Sequence, residues 1–345
     1  MRIETREINS ENPPYLVAEV SANHAGKIEN ALLTIEAAKK CGADAVKIQT
    51  YEPRSLTIDC DLDDFLIKDG LWKGKKLYEL YKEAYTPFAW HKELFEFAKK
   101  IDITIFSTPF DTEGVELLKK FDAPAYKIAS FEIVDLELIK AAAEAKKPMI
   151  ISTGMASESE IDEAINAAQK GGVKDIILLH CVSEYPAPLE TANTKSIPFM
   201  QKRFNLPIGL SDHTLENYAA ISAISLGAVM IEKHFTIDKN LPSPDSNFSI
   251  TPNEFIKLKN DAISVWKTLG KNGIFRAESE QKSKAFRRSL YAVKDIKKNE
   301  IFTRENVRSI RPGFGLAPKH IDRVLNSRAA TDIPRGAALR EDMIV

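Results

Sequence analysis

Along most of this chain, short apolar runs rich in β-branched residues alternate with longer segments in which apolar residues recur at helical spacing. This alternation is typical of repeated βα units around a parallel sheet. The apolar runs predict eight strands: Tyr15 to Glu19, Asp44 to Gln49, Ile103 to Thr108, Ala125 to Ala129, Pro148 to Thr153, Asp175 to Cys181, Pro207 to Ser211 and Ala228 to His234.

Helical segments follow most of these strands. The spacing predicts helices over Ile28 to Lys40, Pro87 to Lys100, Thr112 to Phe121, Asp135 to Ala145, Ser157 to Gln169, Leu215 to Leu226 and Pro252 to Leu269. Two of them open on a capping residue followed by glutamate, Ser157-Glu-Ser-Glu and Thr251-Pro-Asn-Glu, which satisfies the free amides of a first turn. Repeated βα units over residues 1–270 match the usual size of a (β/α)8 TIM barrel, an α/β fold.

Polar residues end almost every predicted strand, where the active site of such a barrel lies. A doubly wound sheet would concentrate them at one switch point instead. Residues two apart share a face of a strand, so Lys47 and Gln49 point the same way. Val46 and Ile48 alternate with them and are expected to face the helices. The other polar residues near strand ends include Glu19, Thr108, Lys127, Ser130, Ser152, Ser183, Tyr185 and Ser211.

The last two predicted strands each deliver a histidine to this rim, His213 and His234. Neighbouring parallel strands lie about 4.8 Å apart, so the two imidazoles are able to share one divalent cation. Two protein ligands leave most coordination positions open, as a catalytic site requires. The spacing alone leaves a second interpretation open, in which both histidines are hydrogen-bonded structural groups.

Two lysines, Lys47 and Lys127, also fall at strand ends, where burial of an ammonium is costly unless an anion meets it. Together with the hydroxyls of Thr108, Ser130, Ser152, Ser183 and Ser211, they favour a small phosphate-bearing carboxylate. Pairing with Glu19 or Glu232 is the alternative. A rival mechanism makes Lys127 a Schiff-base lysine, which needs no metal and leaves His213 and His234 without a role.

Two stretches depart from the βα pattern. Residues 51–86 form an oversized connection, which is typical of a lid over a site. Residues 271–285 are polar and charged and predict a linker, and residues 286–345 contain short alternating segments that predict a small mostly-β domain. So small a domain has a marginal core by itself and is expected to lean on the barrel or on another subunit.

Composition narrows the class of protein. The chain has 28% charged and 44% hydrophobic residues and a formal net charge of -1, which argues against nucleic acid or an anionic membrane as partner. The odd number of cysteines, Cys41, Cys60 and Cys181, predicts free thiols in a reducing compartment. The sequence shows no targeting segment and no membrane-spanning run, so we expect a cytoplasmic protein.

Several motifs resemble the sialic acid synthase family, and the resemblance spans the whole chain. They are Ala18-Glu-Val-Ser-Ala-Asn-His, Ala43-Asp-Ala-Val-Lys-Ile-Gln-Thr, Tyr126-Lys-Ile-Ala-Ser, Ile151-Ser-Thr-Gly-Met, Gly209-Leu-Ser-Asp-His-Thr and Ile231-Glu-Lys-His-Phe-Thr. The end of the chain, from Arg287-Arg-Ser-Leu to Arg311-Pro-Gly-Phe-Gly-Leu-Ala-Pro, resembles the antifreeze-like (SAF) domain of that family. Ser21, Ser183, Pro244-Asp-Ser246 and the Gly70-Leu-Trp-Lys-Gly stretch are closest to its pseudaminic acid synthase branch.

The resemblance implies a metal-dependent transferase that condenses phosphoenolpyruvate with an open-chain acetamido sugar. It assigns catalysis to Glu19, His213 and His234, with Mn²⁺ or Mg²⁺ on the two histidines. It assigns phosphoenolpyruvate to Lys47, Thr108, Lys127, Ser130, Ser152, Ser183 and Ser211, and the sugar to Gln49, Tyr185, Asp245 and Arg311. The resemblance also implies a domain-swapped homodimer, in which Arg311 reaches the site of the neighbouring subunit.

The alternatives differ in the sugar substrate and in whether the protein catalyses a reaction. A 2,4-diacetamido-2,4,6-trideoxy-L-altrose substrate would give pseudaminic acid, N-acetylmannosamine would give N-acetylneuraminic acid, and its 4-acetamido-6-deoxy analogue would give legionaminic acid. A non-catalytic sugar-binding protein is the alternative of another class. It would have no need for two lysines, two histidines and a glutamate at one rim.

Overall fold

The computed structural model describes residues 1–271 and 273–345 and divides into two compact units, Met1–Gly270 and Lys271–Val345. The first, called here the barrel unit, begins with an antiparallel hairpin of β1 (Arg2–Ile3) and β2 (Arg6–Glu7). Ile3 and Ile8 are buried in the same apolar cluster as the barrel interior. The hairpin therefore covers the end of the barrel where the strands begin.

Within the described residues, eight parallel strands of the barrel unit close into a barrel, in which β10 pairs with β3. This confirms the predicted fold class. The predicted bounds hold for the first strand and differ elsewhere by one or two residues at an end. The strands are β3 (Tyr15–Glu19), β4 (Ala45–Thr50), β5 (Thr104–Pro109), β6 (Tyr126–Ile128), β7 (Met149–Ser152), β8 (Ile176–Cys181), β9 (Ile208–Asp212) and β10 (Met230–His234).

The strands bury both faces, and alternation decides which side chain goes where. Val17, Ala45 and Phe106 pack inside the barrel in one apolar cluster. Val46 and Ile48 belong to the other cluster, with residues of the surrounding helices, as predicted. Because Val17 and Ala45 fill the interior, the inward residues two positions later, Glu19 and Lys47, come to the barrel mouth.

Helices surround the barrel and include the predicted ones. The capping boxes at Ser157 and Thr251 are both present. The helix after β8 and the short helices within the residue 51–86 connection were not predicted. The helices are α1 (Ile28–Cys41), α2 (Pro53–Leu56), α3 (Leu77–Ala84), α4 (His91–Lys100), α5 (Thr112–Lys120), α6 (Leu136–Ala143), α7 (Glu158–Lys170), α8 (Ser196–Phe204), α9 (Tyr218–Ser225) and α10 (Pro252–Leu269), with 3₁₀ turns at Asp63–Phe65, Phe88–Trp90, Leu189–Thr191 and Ser246–Phe248.

The start of α9 differs from the prediction because of contacts from a neighbouring strand. Apolar spacing suggested a start at Leu215, but α9 begins at Tyr218. The buried ammonium of Lys233 donates to the carbonyl oxygens of Thr214, at 2.6 Å, and Glu216, at 2.9 Å. These carbonyls are held by a side chain of β10, so the residues after β9 form a loop and not a first helical turn.

The second unit is the C-terminal unit. Its strands β11 (Ser289–Ala292) and β12 (Val307–Ile310) pair antiparallel. Ala329 and Ile333 lie in isolated bridges, with Ile344 and Ile296 respectively. The predicted linker contains α11 (Glu278–Lys282) and leads into a 3₁₀ turn at Ser283–Phe286, and Asn272 lies outside the described residues. The unit ends with 3₁₀ turns at Pro318–His320 and Glu341–Met343 and with α12 (Ile321–Leu325).

No helix among the described residues has the length and apolar character needed to cross a membrane.

Candidate active site

The carboxyl ends of the barrel strands bring together most of the residues predicted for the site. Parallel pairing sets Glu19 beside Lys47 on one side and His234 on the other, and sets Ser211 beside Glu232. Gln49, Ser183, Tyr185 and His234 are half-buried. The buried members are Glu19, Lys47, Thr108, Lys127, Ser130, Ser152, Ser211, His213, Glu232 and Asp245.

Four charged side chains form the centre of this site. The ammonium of Lys47 lies 2.7 Å from Glu232 and 3.2 Å from Glu19, and that of Lys127 lies 3.5 Å from Glu232. The pairing of the lysines with Glu19 and Glu232, which was the alternative to anion binding, is therefore present. It leaves donors for an anion, because each ammonium carries three N–H groups.

The charged cluster is unevenly ionised at neutral pH. Burial raises the pKa of Glu19 to about 7, although Lys47 opposes the shift. Burial would also raise the pKa of Glu232, but Lys127 and Lys47 outweigh it and lower that pKa to about 2. Burial lowers the pKa of Lys127 to about 8. Near neutrality the cluster thus has two cationic groups, one full carboxylate and one carboxyl group that is partly protonated, an excess of positive charge that suits an anion.

Hydroxyl groups surround the cluster. Thr108 Oγ1 and Ser152 Oγ are buried and have no hydrogen-bond partner among the described residues. Ser211 Oγ donates to Glu232 at 3.2 Å, and the hydroxyls of Ser130 and Ser183 lie 2.7 Å apart. Because buried polar atoms without partners are costly, the free hydroxyls of Thr108 and Ser152 indicate a polar ligand here.

Gly154 brings the loop after β7 against the serine pair. Its φ of +47° lies in the left-handed region that side chains rarely adopt. A Cβ there would also lie 2.5 Å from Ser130 Cβ and 2.8 Å from Ser183 Oγ. Only glycine therefore allows this loop to approach the two hydroxyls so closely.

The two histidines face each other across the mouth, with ring centroids 5.5 Å apart. Nδ1 of His213 donates to the carbonyl oxygen of Val182 at 2.8 Å, which leaves Nε2 unprotonated in the neutral ring. His234 Nδ1 is buried and has no hydrogen-bond partner among the described residues. Burial and the positive charges of His213 and Lys47 lower the pKa of His234 well below its usual value, so its ring is neutral.

These two rings fit a divalent cation. The free Nδ1 of His234 is an orphaned polar atom that a cation would satisfy. Burial would lower the pKa of His213, but the neighbouring Cys181 outweighs it and raises that pKa. His213 would bind a cation through Nε2 once its ring is neutral. Within the described residues, no group of three or more histidine, cysteine, aspartate or glutamate side chains is arranged to hold a metal. Two imidazoles are the ligands that this chain would supply.

Asp245 lies on the loop after β10, 3.8 Å from His234 Nδ1. Its carboxylate accepts from the backbone N–H of Ala22 at 3.1 Å. Burial raises the pKa of Asp245, while hydrogen bonds from Ser21 and Ala22 oppose the shift. Ser21 also accepts from Gln49 Nε2 at 2.9 Å, so Ser21 joins two predicted sugar-binding residues.

Ser21 was not among the predicted site residues. Its φ of +43° is unusual for a residue other than glycine. The serine places a hydroxyl between Gln49 and Asp245.

Aromatic rings form one wall of the site. The ring of Tyr185 lies 4.3 Å from that of His213, and the ring of Phe248 lies 4.9 Å from that of His234, measured between centroids. Tyr185 was predicted, but Phe248 was missed because a lone phenylalanine after a strand gives no signal that separates a site from a core.

A buried ion pair behind the rim positions His213. Lys233 Nζ lies 2.7 Å from Asp212 Oδ2, and Asp212 Oδ1 accepts from the N–H and the hydroxyl of Thr214. Asp212 and Thr214 flank His213 on both sides. The pair thus holds the loop on which His213 stands, a role that residue type alone did not indicate.

Arg311 belongs to the C-terminal unit, where it follows β12 and is exposed. The same loop exposes Phe314, at 69% of its surface. An exposed arginine beside an exposed phenylalanine offers a charged and an apolar contact to a partner.

The chain is similar to known proteins over both of its units. The NeuB family model matches residues 34–273, and the SAF domain model matches residues 287–345. The chain is 47% identical to a pseudaminic acid synthase of Campylobacter jejuni subsp. jejuni serotype O:23/36 (strain 81-176) over 333 residues, which cover 96% of this chain and 97% of that protein.

Two further similarities bear on sequence and fold. A pseudaminic acid synthase of Helicobacter pylori is 43% identical over 333 residues, covering 96% of this chain and 98% of that protein. Among solved structures, N-acetylneuraminic acid synthetase from Leptospira borgpetersenii in complex with citrate is 32% identical. It has a TM-score of 0.74 and covers 82% of this chain and 94% of that one.

Proposed function

This chain belongs to the NeuB family, and on that premise we propose that it acts as a pseudaminic acid synthase. The reaction joins phosphoenolpyruvate and 2,4-diacetamido-2,4,6-trideoxy-L-altrose and yields pseudaminic acid and phosphate. The observation that carries the proposal is the buried Lys47–Glu19–Glu232–Lys127 cluster, set beside the two histidines at the mouth of the barrel.

The reaction balances with one water molecule. Carbon 3 of phosphoenolpyruvate bonds to the aldehyde carbon of the open-chain sugar, whose oxygen takes up a proton. Positive charge then develops at carbon 2, where water adds and loses a proton. The bond between carbon 2 and the phosphate oxygen then breaks, the hydroxyl on carbon 2 becomes a ketone, and its proton leaves with the phosphate. The site must therefore bind an anion, stabilise positive charge and accept a proton.

Phosphoenolpyruvate suits the cationic side of the site. In our proposal Lys47 and Lys127 neutralise its carboxylate and phosphate groups by charge-assisted hydrogen bonds. The hydroxyls of Thr108, Ser130, Ser152, Ser183 and Ser211 supply further donors. The free hydroxyls of Thr108 and Ser152 support this assignment, because a bound anion would satisfy them.

Glu19 is the group we assign to carbon 2. Its carboxylate form would stabilise positive charge there and take the proton of the added water. A pKa of about 7 keeps this group able to gain and lose a proton at neutral pH. Glu232, with its low pKa, instead remains the permanent counterion of the two lysines.

The pH profile of kcat/KM for phosphoenolpyruvate tests the assignment of Glu19. Below its pKa Glu19 is protonated and cannot accept a proton, and above it the carboxylate is available. We expect kcat/KM to rise about tenfold per pH unit on the acid side and to level off above the pKa of about 7. Glu19→Gln should be slow and lack this rising limb; the same limb in Glu19→Gln would contradict the assignment.

NeuB-family synthases are generally metal-dependent. We propose that His213 and His234 hold the cation here, either Mn²⁺ or Mg²⁺. When bound, it would supply a Lewis acid that polarises the sugar aldehyde. The hydrogen bond from His213 to Val182 fixes the tautomer that this role requires.

The sugar occupies the other side of the site in our proposal. Gln49 and Asp245 offer polar groups to its hydroxyl and amide functions, and Tyr185 offers a ring face beside His213. Arg311 would come from a second copy of the chain, in a domain-swapped homodimer. Its exposure, together with that of Phe314, supports this part of the proposal.

Subunit mixing tests the contribution of Arg311 in trans. Arg311→Ala and His213→Ala should each be inactive as pure dimers. In a swapped heterodimer one site has an intact barrel and an intact Arg311, so refolded equal mixtures should recover about a quarter of the wild-type sites. Recovery of no activity above that of the two pure variants would show that Arg311 does not act across subunits.

The three thiols support a proposal about the compartment. The described structure has Cys41, Cys60 and Cys181 as free cysteines. Free cysteines suit a reducing environment, and we propose that the reaction takes place in the cytoplasm.

Phosphate release with phosphoenolpyruvate and three sugars tests the proposed function. The altrose derivative should give the highest kcat/KM, ahead of N-acetylmannosamine and of its 4-acetamido-6-deoxy analogue. Preference for either of the others would assign neuraminate or legionaminate synthesis instead. Sugar binding without phosphate release would indicate a non-catalytic binder, and borohydride trapping of a substrate adduct on Lys127 would indicate the Schiff-base mechanism.

A further inference from the structure

Trp72 lies at the tip of a hairpin in the residue 51–86 connection. The hairpin is held by a bridge between Leu66 and Lys76 and by the backbone hydrogen bonds from Ile67 N to Lys75 O, at 2.9 Å, and from Gly74 N to Ile67 O, at 2.8 Å. Its tip is thus an ordered turn, which presents Trp72 in a defined place.

The indole of Trp72 reaches the active-site wall. Its Nε1 donates to the carbonyl oxygen of Pro244 at 3.2 Å, next to Asp245. Its ring lies 6.0 Å from that of Tyr185 and 6.3 Å from that of Phe248, measured between centroids. Trp72 is only half-buried, so part of the ring is available to a ligand.

The three aromatic rings stand in two layers relative to the histidines. Tyr185 and Phe248 form the inner layer, with centroid distances of 4.3 Å to His213 and 4.9 Å to His234. Trp72 forms the outer layer, beyond both rings. An apolar surface therefore extends outward from the point where the proposed function holds the sugar aldehyde.

We propose that Trp72 is a specificity-determining residue that packs against the acetamido group at carbon 4 of the sugar, an inference that rests on the proposed function. With carbon 1 held at the histidines, the acetamido group at carbon 2 lies beside the inner rings. The second acetamido group is two carbons further along the chain and reaches the outer ring. A methyl and amide plane stacks on an indole face, whereas a hydroxyl there gains little.

The contacts also fit a simpler role, in which Trp72 only holds the hairpin against the barrel. In that role, the removal of Trp72 would weaken the binding of all sugars equally. Contact with the acetamido group at carbon 4 would make the loss depend on that group, which a pair of matched sugars resolves.

The test compares 2,4-diacetamido-2,4,6-trideoxy-L-altrose with 2-acetamido-2,6-dideoxy-L-altrose, which has a hydroxyl at carbon 4. The first is measured by its KM and the second by its Ki as a competitor. In Trp72→Ala we expect the KM of the first to rise about 10-fold and the Ki of the second to change less than about 2-fold. The KM of phosphoenolpyruvate should stay constant.

Trp266 supplies the matched control. It lies on α10 of the barrel unit, and its Nε1 also donates to a backbone carbonyl, that of Ser10 at 3.2 Å. Trp266→Ala should leave both sugar constants unchanged. Equal losses for the two sugars in Trp72→Ala, or no loss for either, would overturn the proposal.

Fluorescence gives a readout that does not depend on turnover. The chain has three tryptophans, and the diacetamido sugar should change the emission of the wild type and of Trp266→Phe but not of Trp72→Phe. An unchanged sugar response in Trp72→Phe would contradict the contact. A wild type that binds this sugar without releasing phosphate would defeat the proposed function and leave the contact with Trp72 measurable.

Discussion

Replacing His213 or His234 by alanine is expected to lower the rate of condensation by at least about 1,000-fold, while the barrel stays folded. Each variant removes one of the two imidazoles, whose ring centroids lie 5.5 Å apart at the barrel mouth. With a single imidazole left, a divalent cation would lose half of the ligands that we propose for it, and the aldehyde would lose its activation.

Phosphate release measures the rate, and calorimetric titration with Mn²⁺ measures metal binding separately. His180→Ala is the matched control, because His180 lies on β8 with its Nε2 bonded to the carbonyl oxygen of Ala192, away from the two histidines of the site. This control should bind Mn²⁺ as the wild type does. Near-normal metal-dependent turnover in His213→Ala or His234→Ala would refute the metal assignment.

Replacing Lys47 by methionine is expected to impair both binding and stability. The ammonium lies between Glu19 and Glu232, so its loss leaves two buried carboxylates with weaker compensation. We expect the KM of phosphoenolpyruvate to rise about 100-fold and the free energy of unfolding to fall by about 3 kcal/mol. Steady-state kinetics and urea denaturation measure the two effects.

A second substitution separates the two effects of Lys47→Met. Adding Glu19→Gln removes the carboxylate that lost its partner, so the double variant should regain much of the stability. It should regain none of the activity, because both the anion site and the proton acceptor are gone. A Lys47→Met variant with unchanged KM for phosphoenolpyruvate would argue that Lys47 serves structure alone.

Much of the barrel was predictable from local pattern. Each strand is a short apolar run, and alternation along it decides which residues face inward, so Lys47 and Val46 were assigned to opposite faces correctly. The predicted start of α9 was wrong because Lys233, on β10, binds the carbonyl oxygens of Thr214 and Glu216. No pattern within residues 214–226 contains that information.

The residues of the site also fall into a predicted group and a missed group. Lysines, histidines and hydroxyls at strand ends were visible as residue types, and their roles in binding and catalysis stay predictions. The missed members, Phe248, Ser21 and Asp212, carry no distinctive signal of their own. They matter through contacts with Tyr185, Gln49 and Lys233.

By itself, the sequence determined the order of βα units, the side of each strand that faces the barrel interior and the residue types at the rim, since these depend on periodicity over a few neighbouring positions. The tertiary structure decided which charged side chains of the site pair with each other. Lys47 and Glu232 are 185 positions apart in the chain, yet they lie within 2.7 Å. Only closure of the barrel buries them with Glu19, and burial is what raises the pKa of Glu19 to about 7. A pKa of this kind depends on desolvation and on distant charges, which no local pattern contains.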